Sequence, residues 1–282
     1  MSGRVLHLER RGRGPALMLL HGYSGNGRSM ARIAGAFERE YETLAPDLPG
    51  HGRSPGLAGA AGYAFEDALS DLVATLESAG HRRAHWLGYS LGARLALGCA
   101  LRHPGSVASL VLVAGRAGIA DPAERAARRA SDDALAERIE SLGVEAFVEE
   151  WLAQPLFATL RRLGPEDLAE ERRARLANDA RELAASLRRL GPGAQPPLFD
   201  ELPRLHVPVL LVAGALDGRF VEAARDLARR LPHAEFCEIP DAGHAVHLEQ
   251  PVAFVGAVAD FLRRATCPAS FTPSRSVQEI AS

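Results

Sequence analysis

The sequence predicts an α/β fold with a mostly parallel central sheet, helices on both faces and a helical insertion. Three observations predict it. Short apolar runs alternate with helical spacing over most of the chain, the runs are bounded by Gly/Pro-rich turns, and one stretch of about 80 residues shows helical spacing alone. In order, Val5 to Leu8 and Ala16 to Leu20 look like two strands forming a hairpin-like opening. Leu44 to Pro46 is a third strand, leading into Asp47-Leu48-Pro49-Gly50-His51-Gly52-Arg53-Ser54, where glycine and proline interrupt regular structure. Tyr63 to Ser78 places Phe65, Leu69, Leu72, Val73 and Leu76 on one helical face. Ala84 to Gly88 follows as a buried strand, Leu91 to Leu101 as a helix and Val107 to Val113 as a strand. Val207 to Ala213 and Glu235 to Ile239 complete the strands, and Val252 to Arg264 is the last helix. Apolar runs of this kind without alternation suit parallel strands covered on both faces.

Between Ile119 and Leu202 no strand pattern occurs. Asp121-Pro122-Ala123-Glu124 supplies an N-cap, a proline at the first helical position and a capping-box acid. Helices are expected from there, over Val144 to Leu152 and over roughly Pro165 to Leu190, with Gly191-Pro192-Gly193 and Pro196-Pro197 closing the insertion. The expected division is a core of residues 1–118 and 203–265, a helical cap of 119–202, and a flexible C-terminal tail of 266–282, rich in Ser, Pro and Thr beyond Pro268.

Composition excludes several function classes. The 33 basic and 35 acidic side chains leave a formal charge of −2, which gives no footprint for nucleic acid or an anionic membrane. Every basic residue is arginine, so a Schiff-base lysine and a lysine-bearing P-loop are both ruled out. Cys99, Cys237 and Cys267 have no metal-ligand spacing, and their odd number argues against a disulfide framework. No secretory apolar stretch opens the chain. The expectation is a cytoplasmic protein without metal or cofactor, its oligomeric state open and compatible with a monomer.

The chemistry-bearing motif is Gly88-Tyr89-Ser90-Leu91-Gly92, a GxSxG between a strand and a helix. Small residues there permit a sharp turn that lifts the Ser90 hydroxyl over the helix N-terminus. A serine hydroxyl needs a base, and the base an orienting acid. Asp217 follows the Val207–Ala213 strand and His244 follows the last strand, both in glycine-containing loops. Asp241 is a rival acid, but three residues from His244 it more readily shapes the turn. The catalytic set is therefore Ser90, Asp217 and His244. The backbone N–H groups of Leu91 and Tyr23 occupy the places expected of an oxyanion hole. His21, next to Gly22, reads as a hydrogen-bonded loop residue.

Over residues 1–265 the chain resembles the α/β-hydrolase superfamily through His21-Gly22-Tyr23, the Asp47–Ser54 segment, the Ser90 elbow, Asp217 and His244. More narrowly, Gly88–Arg94, Glu124–Asp132 and Trp151–Ala158 are similar to the 2-succinyl-6-hydroxy-2,4-cyclohexadiene-1-carboxylate synthases of menaquinone biosynthesis. The resemblance implies a lyase that eliminates pyruvate from 2-succinyl-5-enolpyruvyl-6-hydroxy-3-cyclohexene-1-carboxylate. It also implies a small polycarboxylate substrate held by arginines: Arg94 on the elbow helix, Arg128 on the first cap helix, and Arg175, with Arg172 as the alternative, on a later one. Tyr89, Trp151 and Phe157 are implied to line the pocket. Arg219 stands where members of the family often carry lysine.

Each residue also has an ordinary alternative. Arg128 could pair with Glu124 and Arg175 with Glu171 across one helical turn, and the aromatic residues could simply pack cap against sheet. A serine hydrolase acting on an ester or carbon–carbon bond would use the same three catalytic residue types. A non-catalytic ligand-binding protein on this scaffold would have no need of them.

Overall fold

The computed structural model describes residues 3–54, 56–57, 59 and 62–266. Among the described residues seven strands form one sheet: β1 (Leu8–Arg11), β2 (Ala16–Leu20), β3 (Glu42–Pro46), β4 (Ala84–Tyr89), β5 (Val107–Val113), β6 (Val209–Gly214) and β7 (Ala234–Ile239). Their order is β1-β3-β2-β4-β5-β6-β7. All pairs are parallel except β1 with β3. The opening therefore differs from the expected hairpin. The first strand lies three residues later than Val5–Leu8 and pairs antiparallel with β3, while β2 takes its place between β3 and β4. The apolar pattern marks a buried segment but not its partner. Leu6 is buried off the sheet, with its N–H donated to Thr75 Oγ1 at 2.9 Å, so the apolar signal at Val5–Leu8 reflects packing against the following helix.

Side chains alternate between the faces as strand geometry requires. Met18, Leu20 and Trp86 enter one apolar layer, and Leu17, Leu19, Leu87 and Tyr89 enter the other. The first layer is covered by α2 (Phe65–Ser78) and α3 (Leu91–Arg102), through Leu69, Leu72, Leu95 and Leu97. The second is covered by the shorter α1 (Ala31–Phe37), which offers Ile33 and Phe37, and by the C-terminal helix, which offers Phe254, Val258 and Phe261. Trp86 is fully buried, yet its indole N–H donates to the Ser106 carbonyl at 3.0 Å, so its polar edge is satisfied.

No strand occurs between β5 and β6. The segment opens with α4 (Pro122–Leu152), whose Asp121 cap accepts from the Glu124 N–H at 2.7 Å, as the Asp-Pro-x-Glu pattern predicts. Gly143, at φ 77° and ψ 170°, kinks this helix, so a second helical stretch begins at Val144. Residues Pro165 to Leu190 form two helices rather than one, α5 (Pro165–Leu176) and α6 (Ala180–Leu190). Asp179 separates them by capping Arg181 and Glu182 with its carboxylate. Ala136, Ile139, Phe147, Leu183 and Leu187 give these helices a small core of their own.

Beyond β6 lie α7 (Gly218–Arg230), then α8 (Val246–Glu249) and α9 (Pro251–Ala265) after β7. No helix among the described residues is long and apolar enough to cross a membrane. The tail from Cys267 onward lies outside the described residues.

Candidate active site

Every loop that builds the site leaves the carboxyl edge of the parallel strands, the usual place for a site in such sheets. The β4–α3 turn is the sharpest. Ser90 has φ 53° and ψ −105°, a conformation costly for a residue with a Cβ, on the order of 1–3 kcal/mol. Its neighbours show why glycine is needed. A Cβ on Gly88 would lie 2.3 Å from the Gly92 carbonyl oxygen, and one on Gly92 would lie 2.2 Å from that of Leu20. The Ser90 N–H donates to the Val113 carbonyl at 2.9 Å, tying the turn to the adjacent strand.

Asp217 after β6 and His244 after β7 meet this serine. His244 Nδ1 lies 2.8 Å from Asp217 Oδ2, and Nε2 lies 3.2 Å from Ser90 Oγ. Three groups separated by up to 154 positions thus form one hydrogen-bonded line. The imidazole is buried and boxed by Tyr89, Phe157 and Phe220, with ring centroids at 5.3, 5.9 and 4.7 Å. Asp241, the rival acid, is exposed at φ 54° in the turn after β7.

The loop after β2 is fixed by the other motif. Leu48 N–H donates to His21 Nε2 at 2.9 Å, which leaves Nδ1–H to donate to the Gly22 carbonyl at 2.7 Å. His51 repeats the device, accepting from the Ser24 N–H at 3.2 Å and donating to the Pro49 carbonyl at 3.1 Å. Burial pushes His21 down to about 4 and His51 down to about 3, so both are neutral struts. Asp47 accepts from the Gly27 N–H at 2.6 Å and the Arg53 N–H at 2.7 Å, joining the two motifs further. The result carries Tyr23 to the cavity beside Ser90 and Leu91. Neither the Tyr23 nor the Leu91 amide donates to another group among the hydrogen bonds of the described residues outside the regular elements.

The cavity above the triad has a volume of about 550 Å³. Five arginines line it, Arg94, Arg116, Arg128, Arg175 and Arg219, against the single carboxylate of Asp132. Asp132 is already engaged, by Arg128 Nε at 2.8 Å and the Gly193 N–H at 2.9 Å. Arg94 is buried with only a neutral partner, Gln195 Oε1 at 3.1 Å. Its guanidinium is brought down to about 10, first by burial and then by the charge of Arg128. Arg128 pairs with Asp132, not with Glu124. Arg175 combines both readings of it, since it is buried, bonds Glu171 Oε2 at 2.5 Å and still lines the cavity. Arg172 instead reaches Glu149 on the exposed outer side, at 2.6 Å, and is not among the cavity-lining residues.

Tyr89, Trp151 and Phe157 all line the cavity, and Trp151 packs on Tyr23, Phe147 and Phe157. Three buried nitrogens on lining residues have no partner within the described residues: Trp151 Nε1, Arg175 Nε and Gln195 Nε2.

Two residues here were not singled out by sequence. Arg116, three positions past the end of β5 at Val113, carries no motif. Glu249 bridges the histidine loop, accepting from the Gly243 N–H at 2.7 Å and the Ala245 N–H at 3.1 Å, on both sides of His244. Its spacing of five from His244 was the only available signal.

A model of the alpha/beta hydrolase fold matches residues 15–251. The 2-succinyl-6-hydroxy-2,4-cyclohexadiene-1-carboxylate synthase of Enterobacter sp. (strain 638) is 35% identical over 250 residues, covering 88% of this chain and 92% of that protein. The chain belongs to this synthase family. Among solved structures, MenH from S. aureus is similar with a TM-score of 0.87 at 29% identity, covering 92% of this chain and 99% of that one. A thermophilic esterase from Thermogutta terrifontis, determined with malate bound, is similar with a TM-score of 0.80 at 28% identity, covering 92% of this chain and 93% of that one. The family is thus an enzyme family on a hydrolase scaffold.

Proposed function

We propose that this enzyme eliminates pyruvate from 2-succinyl-5-enolpyruvyl-6-hydroxy-3-cyclohexene-1-carboxylate, giving 2-succinyl-6-hydroxy-2,4-cyclohexadiene-1-carboxylate in the cytoplasmic synthesis of menaquinone. The observation that carries the reading is the excess of cation in the cavity: of five lining arginines only Arg128 and Arg175 have an acidic partner, Asp132 and Glu171. A neutral ester gains nothing from such a cavity, whereas a tricarboxylate supplies the missing anions.

The reaction is a proton abstraction followed by elimination. His244 Nε2 accepts the Ser90 hydroxyl proton, and Ser90 Oγ takes the proton from the carbon beside the succinyl ketone. Asp217 orients the imidazole and stabilises its cationic form. The electron pair left by the C–H bond moves onto the ketone oxygen, where the Tyr23 and Leu91 N–H groups stabilise the enolate. When the enolate collapses, its electrons pass through the ring and break the carbon–oxygen bond to the enolpyruvyl group. The departing enolate takes up the proton held by His244, which gives pyruvate and restores the neutral imidazole. No bond forms between Ser90 and a carbonyl carbon.

In this reading Arg94, Arg128 and Arg175 bind carboxylates, with Tyr89, Trp151 and Phe157 walling the ring. The test is pyruvate release from the enolpyruvyl substrate by the purified protein, followed with a coupled reductase. Release well above the spontaneous rate, lost by orders of magnitude in Ser90→Ala with binding retained, is the expected result. A protein that leaves the spontaneous rate unchanged but turns over p-nitrophenyl esters briskly is a hydrolase instead.

A further inference from the structure

Arg116 and Arg219 differ from the other cavity arginines. Arg128 and Arg175 each face a carboxylate and Arg94 an amide oxygen, but Arg116 and Arg219 take part in no ion pair or hydrogen bond among the described residues. They sit together on the triad's side of the cavity. The Arg116 guanidinium lies over the Phe220 ring at 5.6 Å, and the same ring packs on His244 at 4.7 Å. Arg219 precedes Phe220 in the first turn of α7, a 13-residue helix with no acidic side chain in that turn. The N–H groups at this helix end add partial charge of the same sign.

Other charged groups nearby do not neutralise the pair. Asp217, committed to His244 Nδ1, and Glu124 of the cap both act on Arg116, but each only from beyond ion-pair distance. Arg128 adds repulsion. Burial first, and then the charge of Arg219, holds the Arg116 guanidinium below its ordinary value. Two like charges kept at one cavity edge, neither in ion-pair contact with an acid among the described residues, contribute nothing to the fold that an apolar pair would not.

We propose that Arg116 and Arg219 form a carboxylate-binding station at the triad side of the cavity, distinct from the group made by Arg94, Arg128 and Arg175, and that two guanidinium forks there hold one carboxylate of the substrate. The proposal deepens the polycarboxylate reading above and rests on it. It gives the cavity a second cationic station, beside the ring that packs on His244, so a substrate with carboxylates at separated positions is fixed in one orientation over the triad.

The test compares Arg116→Gln/Arg219→Gln with a control, Arg229→Gln/Arg263→Gln, which removes the same charge from exposed positions. KM and kcat are read from pyruvate release. Independently of turnover, calorimetry reads the Kd of the intact enolpyruvyl substrate in a Ser90→Ala background. The expected result is a rise in KM and Kd of roughly 10- to 100-fold in the station variant, kcat within about threefold, and a control within about twofold. Arg219 is exposed, so Arg219→Gln alone keeps the fold and should raise Kd at least about threefold. A Kd unchanged within about twofold in both station variants overturns the proposal, as does an equal rise in the control, or a failure of the Ser90→Ala protein to bind the substrate. If the wild type releases no pyruvate while binding still depends on the pair, the station stands and the lyase reading fails.

Discussion

Replacing Arg94 by methionine should make the protein more stable and much less active. The guanidinium is buried on the elbow helix, and burial is the main cause of its descent from the ordinary arginine value to about 10. That displacement corresponds to roughly 3 kcal/mol against the charged form in the fold. Because the folded-state value lies below the unfolded one, the penalty is present at every pH below about 10 and fades only as pH rises from there toward the ordinary arginine value. Methionine removes the penalty and fills similar space, but leaves Gln195 Oε1 without its donor, at a cost of about 1 kcal/mol. A net gain of about 1–2 kcal/mol follows, in line with apolar replacement of buried charges, and raises the thermal midpoint by about 2–6 °C. Loss of a charge-assisted bond to substrate, about 1.5–3 kcal/mol, lowers kcat/KM for pyruvate release by roughly 10- to 150-fold. Scanning calorimetry and steady-state kinetics read the two effects separately. A midpoint that falls, or an unchanged kcat/KM, would refute the idea that this cation is kept at the fold's expense for the substrate.

Three further outcomes are expected. Glu249→Gln can satisfy only one of the two N–H groups flanking His244 and turns its own NH₂ toward the other, so kcat should drop by roughly 10-fold or more with KM little changed and the acid limb of the pH–rate profile moved; a change in KM alone would deny the residue its positioning role. Burial holds His21 near 4, and His51 and His247 near 3, below an unfolded value of about 6.5, so the stability their neutral forms contribute is present above about pH 6.5 and lost as pH falls toward 4. Each should contribute a slope of up to about 1.4 kcal/mol per pH unit, seen as a steep fall of the thermal midpoint between pH 6.5 and 5, and a flat profile would contradict it. Gly92→Ala drives a methyl group into the Leu20 carbonyl and should cost about 1–3 kcal/mol or abolish soluble expression, while Gly105→Ala, where a Cβ meets nothing within 4 Å, should be tolerated.

The parallel strands were legible because their burial on both faces leaves continuous apolar runs, and the elbow because only small residues allow its turn. Strand pairing was not legible. Nothing local to Leu8–Arg11 says that its partner is β3 rather than the next strand in sequence, since that choice is made by the packing of α2 and the β2–β4 contact. The break between α5 and α6 lay in plain view at Asp179, a residue that caps as readily as it continues a helix, and the surrounding helical spacing masked it. In the site, Ser90, Asp217 and His244 follow strand ends and carry distinctive neighbours. Arg116 and Glu249 do not, because their significance comes from what the fold brings beside them: a cavity in one case and two backbone amides in the other. The choice between Arg175 and Arg172 likewise depended on helix rotation, and the structure sets the first against the cavity and the second against Glu149.

The most direct test of the mechanism is a single-turnover measurement of pyruvate release with the substrate deuterated at the ring carbon beside the succinyl ketone. Proton abstraction by Ser90 and His244 predicts release slowed several-fold by the label, with the intact mass of the protein unchanged throughout. An unslowed turnover accompanied by a transient mass increase on Ser90 would mean nucleophilic attack, and would contradict the account.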